Sequence, residues 1–204
     1  MFFIQRSFSR TTSPPTAAVV ILLLATAVVS SQAKDPIVIV PSLSGSQLWS
    51  TLENADPFPH RFPFPPCPTD VAYAQEWINP VRIAKQVYCF VENMQLKFDP
   101  STNSTLPNRG GVTVEAYDWG GVDGVSDLLP SPHGGKPIER PLIDALVAQG
   151  WTAGDDLRAA PYDWRRWGDP VFSVQLLNKI QQLFETTSAA HDNVPVRLIC
   201  HSMG

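Results

Sequence analysis

Short runs dominated by apolar residues occur near the start and the end of the globular part of the chain. Pro36 to Pro41 reads PIVIVP, and Val194 to Cys200 reads VPVRLIC. Runs of this length and composition are typical of strands buried on both faces, as in a parallel sheet. Leu157 to Ala160 predicts a further short strand, and Gly111 to Tyr117 (GVTVEAY) predicts another.

Apolar residues at helical spacing lie between these predicted strands. Residues 138–147 carry apolar side chains at helical intervals and are followed by Gly150, which suits a helix C′ position. Asp169-Pro170 combines an N-cap residue with a proline favoured in the first helical turn. The apolar residues from Phe172 to Phe184 continue that second helix.

The remaining stretches give weaker signals. Residues 75–88 are weakly helical, Met94 to Phe98 alternates like a strand, and the stretch that ends at Lys136 reads as Gly- and Pro-rich loops. Strands therefore alternate with helices, without an internal repeat or a domain linker. This order predicts an α/β fold with a mostly parallel sheet.

Composition narrows the functional classes. The chain has 204 residues, 44% of them hydrophobic, with 20 prolines and a formal net charge of −4. It is long enough for one globular domain, and its prolines exclude a helical bundle. No basic cluster indicates nucleic-acid binding, and the Cys and His spacings match no zinc pattern. We expect no metal and no cofactor.

The first 33 residues resemble a targeting segment. Arg6 and Arg10 precede the apolar run Ala17 to Val29, and Ser31-Gln32-Ala33 fits a signal-peptidase site. We expect residues 1–33 to be a cleaved signal peptide rather than a membrane anchor, because the run is short for a bilayer span. An organelle transit peptide is the alternative. The expected location is the secretory pathway, either extracellular or lysosomal/vacuolar.

Secretion changes the interpretation of the cysteines. In an oxidising compartment Cys67 and Cys89 can close a disulfide loop, which leaves Cys200 as an expected buried free thiol. Asn103-Ser104-Thr105 is an N-glycosylation sequon.

A proline- and phenylalanine-rich stretch lies just before Cys67. Residues 56–68 read DPFPHRFPFPPCP, which is too proline-rich for a helix or a central strand. Its aromatic residues Phe58, Phe62 and Phe64 either insert into a membrane surface or pack over the fold.

The last predicted strand runs into Cys200-His201-Ser202-Met203-Gly204. A strand followed by x-x-S-x-G is typical of a nucleophile elbow, a sharp turn that projects a serine Oγ above the sheet. The Met203 amide then provides one oxyanion donor, and the loop after residues 37–40 provides the second. In this class of hydrolase the acid and the histidine base follow the serine in the chain, so both are expected beyond Gly204.

Several segments resemble the lecithin:cholesterol acyltransferase and lysosomal (group XV) phospholipase A2 family. They are AAPYDWRR (159–166) after QGWTAGDDLR, VIVPSLSGSQL (38–48), CFVENMQLKFDP (89–100) with its upstream Trp77, and the final HSMG. They occur in the family's order from about residue 36 to residue 204. The chain departs from the family at Ser42 and Cys200, where small residues such as glycine are usual, and over residues 115–137.

The resemblance implies the N-terminal part of an α/β-hydrolase domain over residues 34–204, with a lid and membrane-binding region at about residues 50–90. It implies that Ser202 is the acyl-accepting nucleophile and that the Leu43 and Met203 amides form the oxyanion hole. Cys67 and Cys89 would form the disulfide of the lid region, and Trp77 would lie between them. Trp77 and the phenylalanines of residues 56–68 are then candidate membrane contacts.

The expected activity is lipid O-acyl transfer or phospholipase A chemistry. A fatty acyl group would pass from a glycerophospholipid through a serine ester to an alcohol or to water, so the expected partners are a phospholipid membrane or lipoprotein-like surface and a lipid acyl acceptor. Without a base for Ser202, the 204 residues alone are expected to be inactive. The alternatives are a non-catalytic secreted lipid-binding fragment and an esterase that acts on a soluble substrate.

Overall fold

The structure is a computed structural model that describes residues 34–58, 65–129 and 135–204. The expected signal peptide and two of the candidate membrane contacts, Phe62 and Phe64, lie outside the described residues. None of the helices in the described ranges combines the length and the hydropathy that a helix needs to cross a bilayer.

A parallel sheet of three strands forms the centre of the fold. Its order is β7-β1-β8, and the strands are β1 (Ile37–Val40), β7 (Leu157–Ala159) and β8 (Arg197–Cys200). Val38 is paired with both Arg158 and Leu198. All four residues of β1 are buried because strands flank it on both sides. These three strands are the ones that the apolar runs predict.

Helices cover both faces of this sheet. Ile37 and Ile39 of β1 pack towards α3 (Arg140–Ala148), and Val38 and Val40 pack towards α4 (Pro170–Ala190). Successive residues of a strand point to opposite faces, so an all-apolar strand can bury both sets of side chains. The result is the layered α/β arrangement that the alternation of elements predicts.

The helix boundaries follow the predicted signals. The Asp169 side chain accepts a hydrogen bond from the Phe172 N–H at 2.9 Å, with Pro170 in the first turn of α4. After α3, Gly150 adopts a φ of +96°, which glycine tolerates and other residues rarely adopt.

A second, antiparallel sheet was not predicted. Its order is β3-β2-β6, and a separate hairpin pairs β4 with β5; the strands are β2 (Leu48–Leu52), β3 (Val71–Trp77), β4 (Leu96–Asp99), β5 (Ser104–Pro107) and β6 (Val112–Ala116). The expectation of a mostly parallel sheet is therefore too broad, since the parallel strand pairs among the described residues are confined to β7-β1-β8. In the β4–β5 hairpin the connection is residues 100–103, which is too short for the long crossover that a parallel pair needs.

The weakly helical stretch at residues 75–88 is divided between two elements. Residues 75–77 complete β3, and α1 (Pro80–Met94) begins three residues later. Asn79 caps α1 by accepting a hydrogen bond from the Arg82 N–H at 3.1 Å, and Pro80 follows it. Asn79-Pro80 therefore starts α1 in the same way as Asp169-Pro170 starts α4. A further short helix, α2 (Asp123–Ser126), lies in the stretch expected to be loop.

The expected disulfide between Cys67 and Cys89 is present, and Cys200 is free but not buried. Cys67 and Cys89 form a disulfide with a Cα–Cα distance of 5.4 Å, which joins the chain before β3 to α1. Cys200 is a free thiol as predicted, but it is exposed, so the prediction of burial is wrong. The reason is the strand order: within the described residues β8 pairs with β1 alone and lies at the edge of the sheet.

Candidate active site

The C-terminal end of β8 turns sharply at Ser202. The Gly204 N–H donates to the His201 carbonyl at 2.9 Å and closes a four-residue turn, and Ser202 has a φ of +56°. A non-glycine residue in this left-handed region stores backbone strain, which is typical of functional sites. The His201 N–H donates to the Val40 carbonyl at 3.1 Å and holds the turn against the end of β1.

Gly204 must lack a side chain in this turn. A Cβ at this position would lie 2.8 Å from the Pro41 carbonyl oxygen and even closer to the Val40 carbonyl oxygen. Both atoms belong to the backbone and cannot move away easily. The small residue that the elbow pattern requires two positions after the serine is therefore a steric requirement of the neighbouring strand.

The loop after β1 reaches the same edge of the sheet. The Gly45 N–H donates to the Ser42 carbonyl at 2.9 Å, and Ser44 has a φ of +58°. Ser46 is completely buried, and its Oγ accepts a hydrogen bond from the Tyr162 N–H at 3.0 Å. The loop is thus tied to the segment that follows β7.

The two amides expected to form an oxyanion hole are unpaired. The N–H groups of Leu43 and Met203 make no hydrogen bond to any residue that the structure describes. Both follow the carboxyl ends of adjacent parallel strands, β1 and β8, so they lie at one edge of the sheet. Their side chains are 43% and 41% exposed. Free amides at this edge are available to a ligand oxygen.

No described histidine is placed as a base for Ser202. His191 Nδ1 lies 2.9 Å from the Thr187 carbonyl. His201 Nδ1 lies 2.7 Å from Oε1 of the buried Glu139 at the start of α3. His201 is therefore bound to the body of the fold. In the described ranges, no group of three His, Cys, Asp or Glu side chains could hold a metal.

The residues of the family-like segment 159–166 make structural contacts. Asp163 and Arg165 form a buried ion pair with a closest distance of 2.7 Å. Arg165 also donates to the Met94 carbonyl at 3.1 Å and so connects this segment to the end of α1. The phenolic O–H of Tyr162 donates to the Met203 carbonyl at 3.4 Å, next to the elbow.

The buried carboxylate of Asp169 accepts several hydrogen bonds from distant residues. The sequence predicted only its role as the N-cap of α4. Its Oδ2 accepts from Ser104 Oγ at 2.8 Å, from the N–H and Oγ1 of Thr105 at 2.8 and 2.6 Å, and from Arg166 Nη2 at 2.8 Å. Burial acts to raise the pKa of this carboxyl, but the hydrogen bonds from Phe172, Thr105 and Arg166 outweigh it and hold the pKa well below its usual range.

The candidate membrane contacts that the structure describes are not fully exposed. Trp77 is half-buried; its indole N–H donates to the Ser44 carbonyl at 3.0 Å, and its ring meets Trp164 edge-on at 5.0 Å between centroids. Phe58 is half-buried as well. The sequon residue Asn103 is exposed in the turn between β4 and β5, with a φ of +51°.

Two cavities share Tyr162, and the smaller one lies beside the elbow. One, of about 190 Å³, is lined by Met203, Gly204 and apolar residues of α4. The other, of about 440 Å³, lies between β6 and α4 and combines aromatic with charged side chains. Within it, burial and the neighbouring Glu115 raise the pKa of Tyr73 to about 12, so this phenol stays protonated at neutral pH.

Comparison with known proteins agrees with the resemblance. A sequence profile of the family described as lecithin:cholesterol acyltransferase matches residues 75–204. The chain is 28% identical to the lysosomal phospholipase A and acyltransferase of Rattus norvegicus over 178 residues, which are 85% of this chain and 40% of the relative. It is 28% identical to the phosphatidylcholine-sterol acyltransferase of Papio anubis, covering 83% of this chain and 36% of the relative.

A plant relative shows the same extent of similarity. Lecithin-cholesterol acyltransferase-like 1 of Arabidopsis thaliana is 26% identical over 180 residues, which are 83% of this chain and 41% of the relative. The chain thus spans about two fifths of the length of the curated relatives that it matches.

Proposed function

The chain belongs to the lecithin:cholesterol acyltransferase family, and we propose that it provides the nucleophile and the oxyanion hole of a lipid acyltransferase or phospholipase A. One observation carries the proposal: Ser202 has a φ of +56° at the end of a strand whose turn packs against β1. The unpaired amides of Leu43 and Met203 follow the two adjacent strand ends. This arrangement suits acyl transfer through a serine ester.

The proposed reaction has two acyl transfers. Ser202 Oγ attacks the ester carbonyl of a glycerophospholipid while a base takes its proton, and the carbonyl oxygen becomes an oxyanion between the Leu43 and Met203 amides. The intermediate then expels the glycerol oxygen, which takes the proton from the base and leaves as a lysophospholipid. An alcohol or water next attacks the Ser202 ester while the same base takes its proton and the same amides hold the oxyanion. The bond between the acyl group and Ser202 Oγ then breaks, the base returns the proton to Oγ, and a new ester or a free fatty acid leaves.

The base is not supplied by the described residues. A serine hydroxyl is a weak nucleophile unless a base activates it. His191 and His201 are both bonded to other groups. We propose that a histidine oriented by a carboxylate, outside the described residues, completes the site. The length of the relatives leaves room for both groups, because the chain spans about two fifths of them.

Exposed apolar residues of α1 support a lipid surface as the partner. Val81, Val87 and Val91 are 37% to 49% exposed in the helix that the disulfide attaches to the chain before β3. Such residues can enter the interfacial region of a bilayer. The disulfide also supports a location in the secretory pathway, because disulfides persist in oxidising compartments. We propose that these exposed residues of α1 face the lipid.

The nucleophile can be tested by covalent labelling. We expect a fluorophosphonate to label the protein expressed from its complete coding sequence at Ser202, and Ser202→Ala to abolish labelling and phospholipid hydrolysis. Ser101→Ala removes another exposed hydroxyl, in the β4–β5 turn, and should change neither. Labelling or turnover that survives in Ser202→Ala would refute the proposed mechanism. Vesicle binding without labelling would favour a non-catalytic lipid-binding protein.

The lipid surface needs a separate test. The double variant Val81→Ser/Val91→Ser should weaken vesicle binding about tenfold. Full burial of a valine contributes about 1.5 kcal/mol, but only about half of each of these two residues is exposed and can enter the lipid, so together they contribute about 1.5 kcal/mol. Hydrolysis of a short soluble ester should be unchanged. Val174→Ser makes the same change at an exposed position of α4 and should leave vesicle binding intact. Equal loss in all variants would show that α1 is not the docking surface.

A further inference from the structure

We propose that Trp77 is a positioning residue that holds the Leu43 amide in the orientation required of an oxyanion donor. Its indole N–H would thereby couple the segment closed by the Cys67–Cys89 disulfide to the catalytic centre. The inference rests on the proposed roles of Leu43 and Ser202. It assigns Trp77 a function other than the membrane contact that the sequence suggested.

Two hydrogen bonds connect the indole to the peptide that carries the Leu43 N–H. Trp77 Nε1 donates to the Ser44 carbonyl at 3.0 Å, so it binds one end of the Ser44–Gly45 peptide. The N–H at the other end of that peptide belongs to Gly45 and donates to the Ser42 carbonyl at 2.9 Å. The Ser42 carbonyl shares its peptide plane with the Leu43 N–H, and the two point in opposite directions in a trans peptide.

The direction of the Leu43 N–H therefore depends on the hydrogen bond from the Trp77 indole to the Ser44 carbonyl. Fixing the Ser44–Gly45 peptide fixes the Ser42 carbonyl, and fixing that carbonyl fixes the Leu43 N–H that points away from it. Hydrogen bonds in series also polarise and strengthen one another. Ser44 has a φ of +58°, which is unfavourable for a residue other than glycine. Without a bond to its carbonyl, this turn has less to hold it in that conformation.

Trp77 is itself held firmly enough to orient a loop. It is paired with Leu48 at the end of β3, and its ring packs edge-on against Trp164. The preceding residue, Glu76, is completely buried and accepts hydrogen bonds from Ser50 Oγ at 2.9 Å and Asn93 Nδ2 at 3.0 Å. Asn93 belongs to α1, so the position of Trp77 also depends on the helix that contains Cys89.

The contacts argue against a side chain that works mainly in lipid. An indole that enters a bilayer interface directs its N–H towards water or head groups, whereas the Trp77 N–H is directed into the oxyanion loop. The two roles predict opposite kinetic behaviour. Loss of a membrane contact weakens vesicle binding and leaves a soluble ester unaffected, whereas loss of a positioning residue slows both substrates and leaves vesicle binding intact.

The test removes only the N–H. Trp77→Phe in the protein expressed from its complete coding sequence keeps an aromatic ring against Trp164 but has no donor for Ser44. Trp151→Phe is a matched control, because Trp151 Nε1 donates to the Asp35 carbonyl at 3.1 Å at the opposite end of β1. Both variants lose one indole–carbonyl hydrogen bond, so a general loss of stability should affect them alike.

We expect Trp77→Phe to lower kcat for a soluble ester about tenfold or more with little change in KM, since a misplaced oxyanion donor acts on the transition state. Phosphonylation of Ser202 should slow by a similar factor, and vesicle binding should not change. Hydrogen exchange of the Gly45 amide, followed in peptides that cover residues 41–47, should be at least tenfold faster. Trp151→Phe should leave all of these measurements close to wild type.

The hydrogen-exchange measurement tests the positioning role of Trp77, and the activity measurement also tests the proposed function. Unchanged Gly45 exchange in Trp77→Phe overturns the positioning role whatever the activity. The same holds if vesicle binding falls while the soluble ester is hydrolysed normally. If the protein shows no turnover that depends on Ser202, the proposed function fails, and the exchange measurement still decides whether Trp77 orders the loop.

Discussion

The buried carboxylate of Asp169 should contribute strongly to folding stability, with a characteristic dependence on pH. Asp169→Ala removes the N-cap of α4 and leaves the guanidinium of Arg166 without its carboxylate. It also leaves the hydroxyl of Ser104 and the backbone N–H of Thr105 without their acceptor. The hairpin β4–β5 would thus keep its hydrogen bonds to Arg166 but lose those to the start of α4.

The expected loss can be estimated from these contacts. Losing an N-cap costs about 1 kcal/mol, and removing one partner of a buried ion pair costs about 3–5 kcal/mol. Arg166 remains 24% exposed and can be partly hydrated, so the lower value applies to the pair. We therefore expect the free energy of unfolding to fall by about 3 kcal/mol or more, a large share of the 5–15 kcal/mol typical of a domain.

The pH dependence follows from the direction of the pKa shift. The pKa of Asp169 is lowered in the folded state, relative to about 3.9 in an unfolded chain. Its carboxylate therefore stabilises the fold fully above the unfolded pKa, and this contribution is lost as the pH falls below about 4 towards the folded pKa. The difference in stability between wild type and Asp169→Ala should be constant from pH 7 to 5 and should shrink in acid.

Urea unfolding followed by circular dichroism between pH 7 and pH 3 would measure this difference. Asp155→Ala is the control, because the Asp155 side chain is 67% exposed and its one ion-pair partner among the described residues is His191, at 3.4 Å. That variant should stay within about 0.5 kcal/mol of wild type at neutral pH. A loss below 1 kcal/mol for Asp169→Ala, or a difference that does not change down to pH 3, would refute the reasoning.

Two further predictions concern the elbow and the disulfide. Gly204→Ala should reduce fluorophosphonate labelling of Ser202 more than tenfold, because the new Cβ would overlap the end of β1. In the control Gly154→Ala the new Cβ would meet no described atom within 4 Å, so only the positive φ should lower the folding stability, by about 1 kcal/mol. Equal labelling of the two variants would contradict the steric argument. Replacing Cys67 and Cys89 by serine should lower the free energy of unfolding by about 3 kcal/mol, measured by urea unfolding, since the bond closes a loop with a sequence separation of 22. Cys200→Ser should have little effect, and the exposed thiol of Cys200 should be alkylated in the folded protein.

The elements that the sequence predicted are those whose signals are local. The strand at residues 37–40 is apolar at every position because both of its faces are buried, and this pattern can be read without knowing its neighbours. The caps of α4 and α3 depend on a few adjacent residues, Asp169-Pro170 and Gly150, and both were identified. The elbow is also local, because the turn around Ser202 needs only a strand, a serine and small flanking residues.

The unpredicted features depend on partners that are far apart in the chain. The sequences of β2 and β3 do not alternate between apolar and polar residues, although β2 lies in the centre of its sheet and buries every second residue. Their pairing could therefore be recognised only once the sheet was assembled. Asp169 could be identified as a cap, but not as the acceptor for Ser104 and Thr105, since these residues meet it across 65 and 64 positions of sequence.

The sequence alone determined the layered α/β class, the main helices and the position of the serine, because short-range periodicity, capping and turn chemistry act within a few residues. Tertiary structure alone decided three other features. Within the described residues, it placed Cys200 at an exposed sheet edge, it directed the Trp77 indole N–H to the loop after β1, and it left the Leu43 and Met203 amides without a partner at adjacent strand ends. Each of these depends on which distant strands become neighbours, and hydrophobic burial does not encode that choice in any single segment.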